Sequence, residues 1–172
     1  MKKFLIGTIF LGLASLGYSQ SSDFNKNEKI SSIEVIPTDQ VYLDKVSDET
    51  FSERVYTLER KASRYNIKEH PSYNAKYSGA YRVFFLRGNS KIVATYDRHG
   101  KITRTKESFN NLLTPITVRE SVYDRYPNWT MKSTAYTVNY DGKEANKIYK
   151  VQIVKDGVKK KLNLDLEGNI RE

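Results

Sequence analysis

Displaced by 68 positions, residues 81–102 fall on residues 149–170 without a gap. Tyr81 lands on Tyr149, Val83 on Val151, Lys91 on Lys159, Asp97 on Asp165, Gly100 on Gly168 and Ile102 on Ile170. Six of the 22 positions are identical, where residue frequencies of several per cent give roughly one or two. Arg82/Lys150, Phe85/Ile153, Leu86/Val154 and Arg87/Lys155 add conservative pairs. A chain that repeats itself over this length is expected to build one unit twice.

The unit is legible from its turns. Gly88-Asn89 and Asp156-Gly157 occupy matching places, and both dipeptides suit a two-residue hairpin that needs positive φ. Asp97…Gly100 and Asp165…Gly168 follow. Asp at the head of such a turn accepts from a backbone N–H two residues on, and Gly at its end allows positive φ. Each copy therefore reads as strand, hairpin, strand, D-x-x-G turn, strand. Tyr81, Val83 and Phe85 share one face, as do Tyr149, Val151 and Ile153. On the partner strands Ile92, Ala94 and Tyr96 align with Lys160, Leu162 and Leu164, while Lys159, Lys161, Asn163 and Asp165 point the other way. That alternation predicts antiparallel strands with one packed and one wet face.

Helical patterns precede both copies. In residues 47–65, Phe51, Val55, Leu58, Ala62 and Tyr65 recur at helical spacing. Ser47 is the expected N-cap, with Asp48 and Glu49 near the helix start. In residues 114–127, Val118, Val122 and Tyr126 form a stripe, Thr117 and Glu120 have capping-box spacing, and Pro127 ends the helix. Residues 129–143 read as a strand and turn; 66–80 are irregular. The fold class is α+β: two tandem helix-plus-antiparallel-strand repeats, 48–106 and 112–172, forming an antiparallel sheet with helices on one face.

Pro115, Tyr126-Pro127, Tyr149-Lys150-Val151 and Asp165-x-x-Gly168 together resemble the PepSY-like secreted proteins grouped with β-lactamase-inhibitor-like domains. Tyr81-Arg82-Val83 and Asp97-x-x-Gly100 repeat part of that pattern, without the proline at the helix end. The resemblance covers about residues 48–172. It implies an exported, non-enzymatic α+β fold that binds or inhibits a protein, and it carries no catalytic residues.

The N-terminus points the same way. Lys2 and Lys3 precede an apolar run from Phe4 to Leu16, and Gly17 and Ser19 give a small-x-small cleavage site before Gln20. That is the form of a signal peptide over 1–19; the run is too short for a membrane span of about 20 residues. Residues 20–47 read as a polar leader with a short strand at 33–36. No cysteine occurs, so an exported chain must hold itself together by burial alone. Subtracting Lys2 and Lys3 from 29 basic residues leaves 27 against 20 acidic, a net +7. For an exported protein this points to an envelope protein or anionic envelope polymer as partner, with no nucleic acid and no transmembrane segment in the mature chain.

Catalytic and cofactor motifs are missing. There is no G-x-S-x-G, P-loop, G-x-G-x-x-G or H-E-x-x-H, and without cysteine there is no thiol chemistry. The two histidines, His70 and His99, precede a proline and sit in the D-x-x-G turn; a two-histidine metal site is the alternative reading. Asp97 and Asp165 read as turn residues, with calcium ligation as the alternative, although calcium takes six to eight oxygens. Trp129 and 12 tyrosines (13 less Tyr18) suit glycan or protein interfaces, and equally suit strands. Lys159-Lys160-Lys161 could dock an acidic partner or guard a sheet edge. The expectation is an exported, periplasmic or extracellular, non-catalytic binding module without cofactor, metal or catalytic residues. An inhibitor or accessory domain of an envelope enzyme, a small envelope hydrolase and a structural envelope protein are the alternatives.

Overall fold

A computed structural model describes residues 38–47 and 52–171. The expected signal peptide, the strand at 33–36 and the expected acidic start of the first helix (48–51) lie outside the described residues. The described chain is α+β. In order it forms α1 (Gln40–Val46), α2 (Glu53–Ser63), a 3-10 turn (Ile67–Glu69), β1 (Tyr81–Arg87), β2 (Ser90–Tyr96) and β3 (Ile102–Asn110). Then come α3 (Ile116–Arg125), β4 (Thr130–Tyr140), β5 (Ala145–Lys155), β6 (Val158–Leu164) and the short β7 (Ile170–Arg171). All seven strands join one antiparallel meander in sequence order.

Local chemistry sets the strand boundaries. In the β5–β6 hairpin both Asp156 and Gly157 have positive φ, the type I′ pattern; in β1–β2 only Gly88 does, as at the first position of a type II′ turn. The registers nonetheless coincide under the 68-residue displacement. Tyr81 faces Tyr96 and Arg82 faces Thr95; Tyr149 faces Leu164 and Lys150 faces Asn163.

One sheet face is buried. Phe85, Ile92, Ala94, Tyr96 and Phe109 line it in the first three strands, and Tyr136, Val138, Tyr149, Val151, Ile153 and Leu164 in the next three. α2 lies against β1 and β2, and α1 against β4 and β5. Val55, Leu58 and Ala62 of α2 are buried, at the expected helical spacing, and each fully buried large aliphatic side chain contributes roughly 1.5–3 kcal/mol. Tyr96 Oη donates to the Ala62 carbonyl at 2.7 Å, tying α2 to β2.

Several local expectations are corrected. Residues 40–46, inside the stretch read as a polar leader, form α1 and bury Tyr42, Leu43 and Val46. Its cap is Asp39, whose Oδ1 accepts from Tyr42 N at 3.1 Å and whose Oδ2 accepts from Ile102 N at 2.8 Å. One carboxylate thus anchors both a helix and the start of β3. Ser47 ends α1 rather than opening α2, whose N-cap is Ser52. The Thr117/Glu120 capping box does not form: the helix starts at Ile116 after Pro115, with no side-chain cap. Thr117 therefore lies inside the first turn, where its hydroxyl cannot serve as a cap. The irregular stretch 66–80 contains the 3-10 turn and no strand, so nothing there matches β4.

Candidate functional site

The sheet face opposite the core is the most distinctive surface of the molecule. Alternate residues of each strand reach it, and the strand registers arrange them in rows. Arg82, Thr95 and Arg104 form one row across β1–β3. Phe84, Val93, Lys106 and Asn139 form the next. Asn110, Ala135, Lys150 and Asn163 cross β3–β6, and Ser133, Gln152 and Lys161 lie beside them. Lys91 and Lys159 complete the cations. From β1 to β6 the outer rows hold seven cations (Arg82, Lys91, Arg104, Lys106, Lys150, Lys159, Lys161) and no Asp or Glu. None of the seven is in an ion pair; the two ion pairs among the described residues are Lys45–Glu144 and Arg171–Asp165. Seven like charges without a counter-charge give the face a positive potential that attracts anions.

The face is not flat. A depression of about 300 Å³ opens over β4–β6, lined by Asn110, Ser133, Ala135, Lys150, Gln152, Lys161 and Asn163 among others. A second, of about 490 Å³, lies over β1–β3, lined by Arg82, Val93, Thr95, Thr103, Arg104 and Lys106. The sequence signalled one corner of this surface, the alternation of Lys159, Lys161 and Asn163. The rest is a property of register across strands far apart in the chain.

The residues singled out from sequence divide between this face and other roles. The triple-lysine run is split by the pleat. Lys159 and Lys161 face outward, whereas the Lys160 ammonium lies 5.1 Å from the Tyr126 ring and 5.3 Å from the Trp129 ring. Trp129 also packs edge-on against Tyr126. Most tyrosines of the sheet are core: Tyr96, Tyr136, Tyr140 and Tyr149 are buried. Asp97 Oδ1 accepts from His99 N at 2.8 Å and Lys101 N at 2.9 Å. Asp165 Oδ1 accepts from Asn169 N at 2.7 Å and its Oδ2 from Asn169 Nδ2 at 3.0 Å. Asp165 was expected on the wet side with Lys161, yet it is buried, because the turn folds its carboxylate back over Asn169. His70 Nδ1 accepts from Ser72 N, and Arg98 Nε donates to His99 Nε2. Among the described residues, no group of three or more His, Cys, Asp or Glu side chains is placed to hold a metal ion.

A polar cluster lies inside the core, and sequence reasoning missed it. Glu107 of β3 and Glu59 of α2 are both buried. Glu107 Oε1 accepts from Tyr42 Oη of α1 at 2.9 Å and from Thr105 Oγ1 at 2.6 Å. Glu59 Oε2 accepts from Ser47 Oγ at 2.5 Å. Burial, followed by the charge of Glu59, pushes the Glu107 carboxyl up to about 8, so near neutrality it holds a proton and can bond Glu59. The same surroundings raise the Tyr42 hydroxyl well above its usual value, burial first and Glu107 second. Neither glutamate lines a depression described above. The arrangement is a proton-linked clasp between α1, α2 and β3.

No family model, curated protein or solved structure matches the chain.

Proposed function

We propose that this is an exported, non-catalytic binding module of PepSY-like type whose open sheet face holds an anionic envelope polymer. The observation that carries the reading is the outer face itself, with seven unpaired cations and no carboxylate from β1 to β6. A solvated face with no binding role ordinarily intersperses both signs of charge, and 20 acidic residues were available to this chain.

The second element of the proposal is that β1–β3 and β5–β7, with their preceding helices, are two copies of one unit. The shared register of the two hairpins supports it, as do the turn glycines, with φ of 90° at Gly100 and 91° at Gly168. On this reading the copies lie side by side in one sheet and pool their outer faces into a single surface. The PepSY resemblance and the signal-peptide form of residues 1–19 support export and binding rather than catalysis.

Binding of the full chain to soluble polyanions, measured by titration calorimetry across a salt series, tests the reading. Affinity should fall roughly tenfold or more from low to physiological salt. Lys106→Glu with Lys150→Glu should abolish it while the melting temperature holds. An acidic protein captured by the same face would keep the surface and change the partner. Absence of polyanion binding at low salt would defeat the reading.

A further inference from the structure

We infer that the β4–β6 depression is a subsite for one unit of a linear acidic polysaccharide, which continues toward the arginine-bearing depression on β1–β3. The inference rests on the proposed binding role of the outer face and specifies the chemistry of its occupant.

The two depressions share positive charge and hydroxyls, and only the one over β4–β6 carries side-chain amides. The one over β1–β3 offers Arg82, Arg104 and Lys106, with Thr95, Thr103 and Val93. Its charged groups are donors only. The one over β4–β6 adds the side-chain amides of Gln152 and Asn163, the Ser133 hydroxyl and Asn110, whose Nδ2 also donates to the Asn89 carbonyl, to Lys150 and Lys161. Amides and hydroxyls both donate and accept. A polyphosphate or an acidic peptide side chain presents acceptors alone, and lysine or arginine satisfies it. A sugar ring presents hydroxyls that must donate as well as accept, and an amide-lined hollow answers both needs. Ala135 is the small residue in the middle of the row, between Asn110 and Lys150, and it leaves room for a ring. A volume of about 300 Å³ sits at the low end of small-molecule sites, roughly 300–1,000 Å³, which suits one ring rather than a large ligand.

The rival polyanions fit less well. Single-stranded nucleic acid wants exposed aromatics on which bases stack, and Phe84 is the one aromatic in the outer rows, with the Lys91 ammonium 5.3 Å from its ring centre. A lipid surface wants apolar side chains to insert across the contact; the exposed large apolar residues of the outer rows, Phe84 and Leu86, are confined to edge strand β1. The geometry also asks for a polymer. Lys106 faces Asn139, and Lys150 faces Ala135. Their backbones are therefore two strand spacings and four residues apart, about 16 Å, further than one ring reaches. The acid group on the sugar is a carboxylate or a sulfate, since either meets the lysines.

Titration of the full chain with size-matched polygalacturonate, dextran sulfate, polyglutamate, polyphosphate and neutral dextran tests this. Polygalacturonate or dextran sulfate should bind at least tenfold tighter than polyglutamate or polyphosphate at equal charge, and neutral dextran should not bind. Gln152→Ala with Asn163→Ala should erase that preference by lowering polygalacturonate affinity at least tenfold more than polyglutamate affinity, because sugar contacts are lost and no charge is removed. Circular dichroism checks the fold, and Asn163→Ala alone serves if the double variant does not fold, lowering acidic-polysaccharide affinity severalfold more than polyglutamate affinity. Equal affinity for all polyanions, or a preference that survives Gln152→Ala/Asn163→Ala, would overturn the subsite while leaving the anion-binding face standing. Failure of every polyanion to bind would overturn both.

Discussion

The hairpin and turn at 81–100 and those at 149–168 share a strand register and a D-x-x-G turn, and differ in hairpin turn type and in surroundings. Both turns close with the same bonds: Asp97 N to the Lys101 carbonyl and Gly100 N to the Asp97 carbonyl in one, Asp165 N to the Asn169 carbonyl and Gly168 N to the Asp165 carbonyl in the other. Yet in the first turn a Cβ on Gly100 would meet only a methyl group of Ile67, 3.8 Å away. The second is wedged under α3, where a Cβ on Gly168 would lie 2.6 Å from Ser121 Oγ and 2.8 Å from the Thr117 carbonyl oxygen. The same turn does two jobs. After β2 it redirects the chain, and after β6 it is also the seat of α3.

The largest expected effect follows from that contrast. Gly100→Ala meets only the cost of positive φ, about 1–2 kcal/mol, whereas Gly168→Ala must also displace the Thr117 backbone, for about 3 kcal/mol or more. Urea denaturation of the two variants measures both; equal losses would mean that α3 does not rest on the second turn. The aspartates give a smaller difference of the same sign. Asp97→Ala removes two backbone bonds from a partly exposed turn, about 1 kcal/mol. Asp165→Ala should lower the melting temperature further, because the buried Asp165 carboxylate loses both Asn169 bonds and its ion pair with Arg171. Burial works against the Asp165 carboxylate, but the Asn169 bonds and the Arg171 charge outweigh it and hold its pKa below the usual value. A lowered pKa makes its contribution present above the ordinary aspartate range and lost on acidification below it.

Glu107 of β3 has the opposite sign. The folded protein keeps its proton up to about pH 8, while the unfolded chain releases it near the ordinary glutamate value. Its stabilising contribution is full below that value and declines as pH rises toward 8. Glu107→Gln, which cannot ionise, should flatten the fall in melting temperature between pH 5 and 8. An unchanged profile would remove Glu107 from the clasp.

The strands were legible in the sequence because period-two alternation and turn residues such as Asp156-Gly157 are local signals. Helix α1 was not. Seven residues give too few turns for a stripe, and its stability comes from Tyr42, Leu43 and Val46 reaching the distant sheet. Ser47 and Thr117 looked like caps by type and spacing, but the helices that formed start elsewhere. The clasp left one trace: Glu107 falls on the buried alternation between Thr105 and Phe109, a carboxylate where an apolar residue belongs. The cationic face was legible only in part, as Lys159, Lys161 and Asn163 on one strand. Its lack of carboxylates becomes visible when six strands are placed in register.

Lysine acetylation footprinting of the full chain, with and without a soluble acidic polysaccharide, tests the central claim most directly. The account predicts slower modification of Lys91, Lys106, Lys150, Lys159 and Lys161 in the complex, with Lys61, Lys68 and Lys143 unchanged. Protection spread evenly over all lysines, or concentrated on the helical side at Lys61 and Lys68, would contradict it.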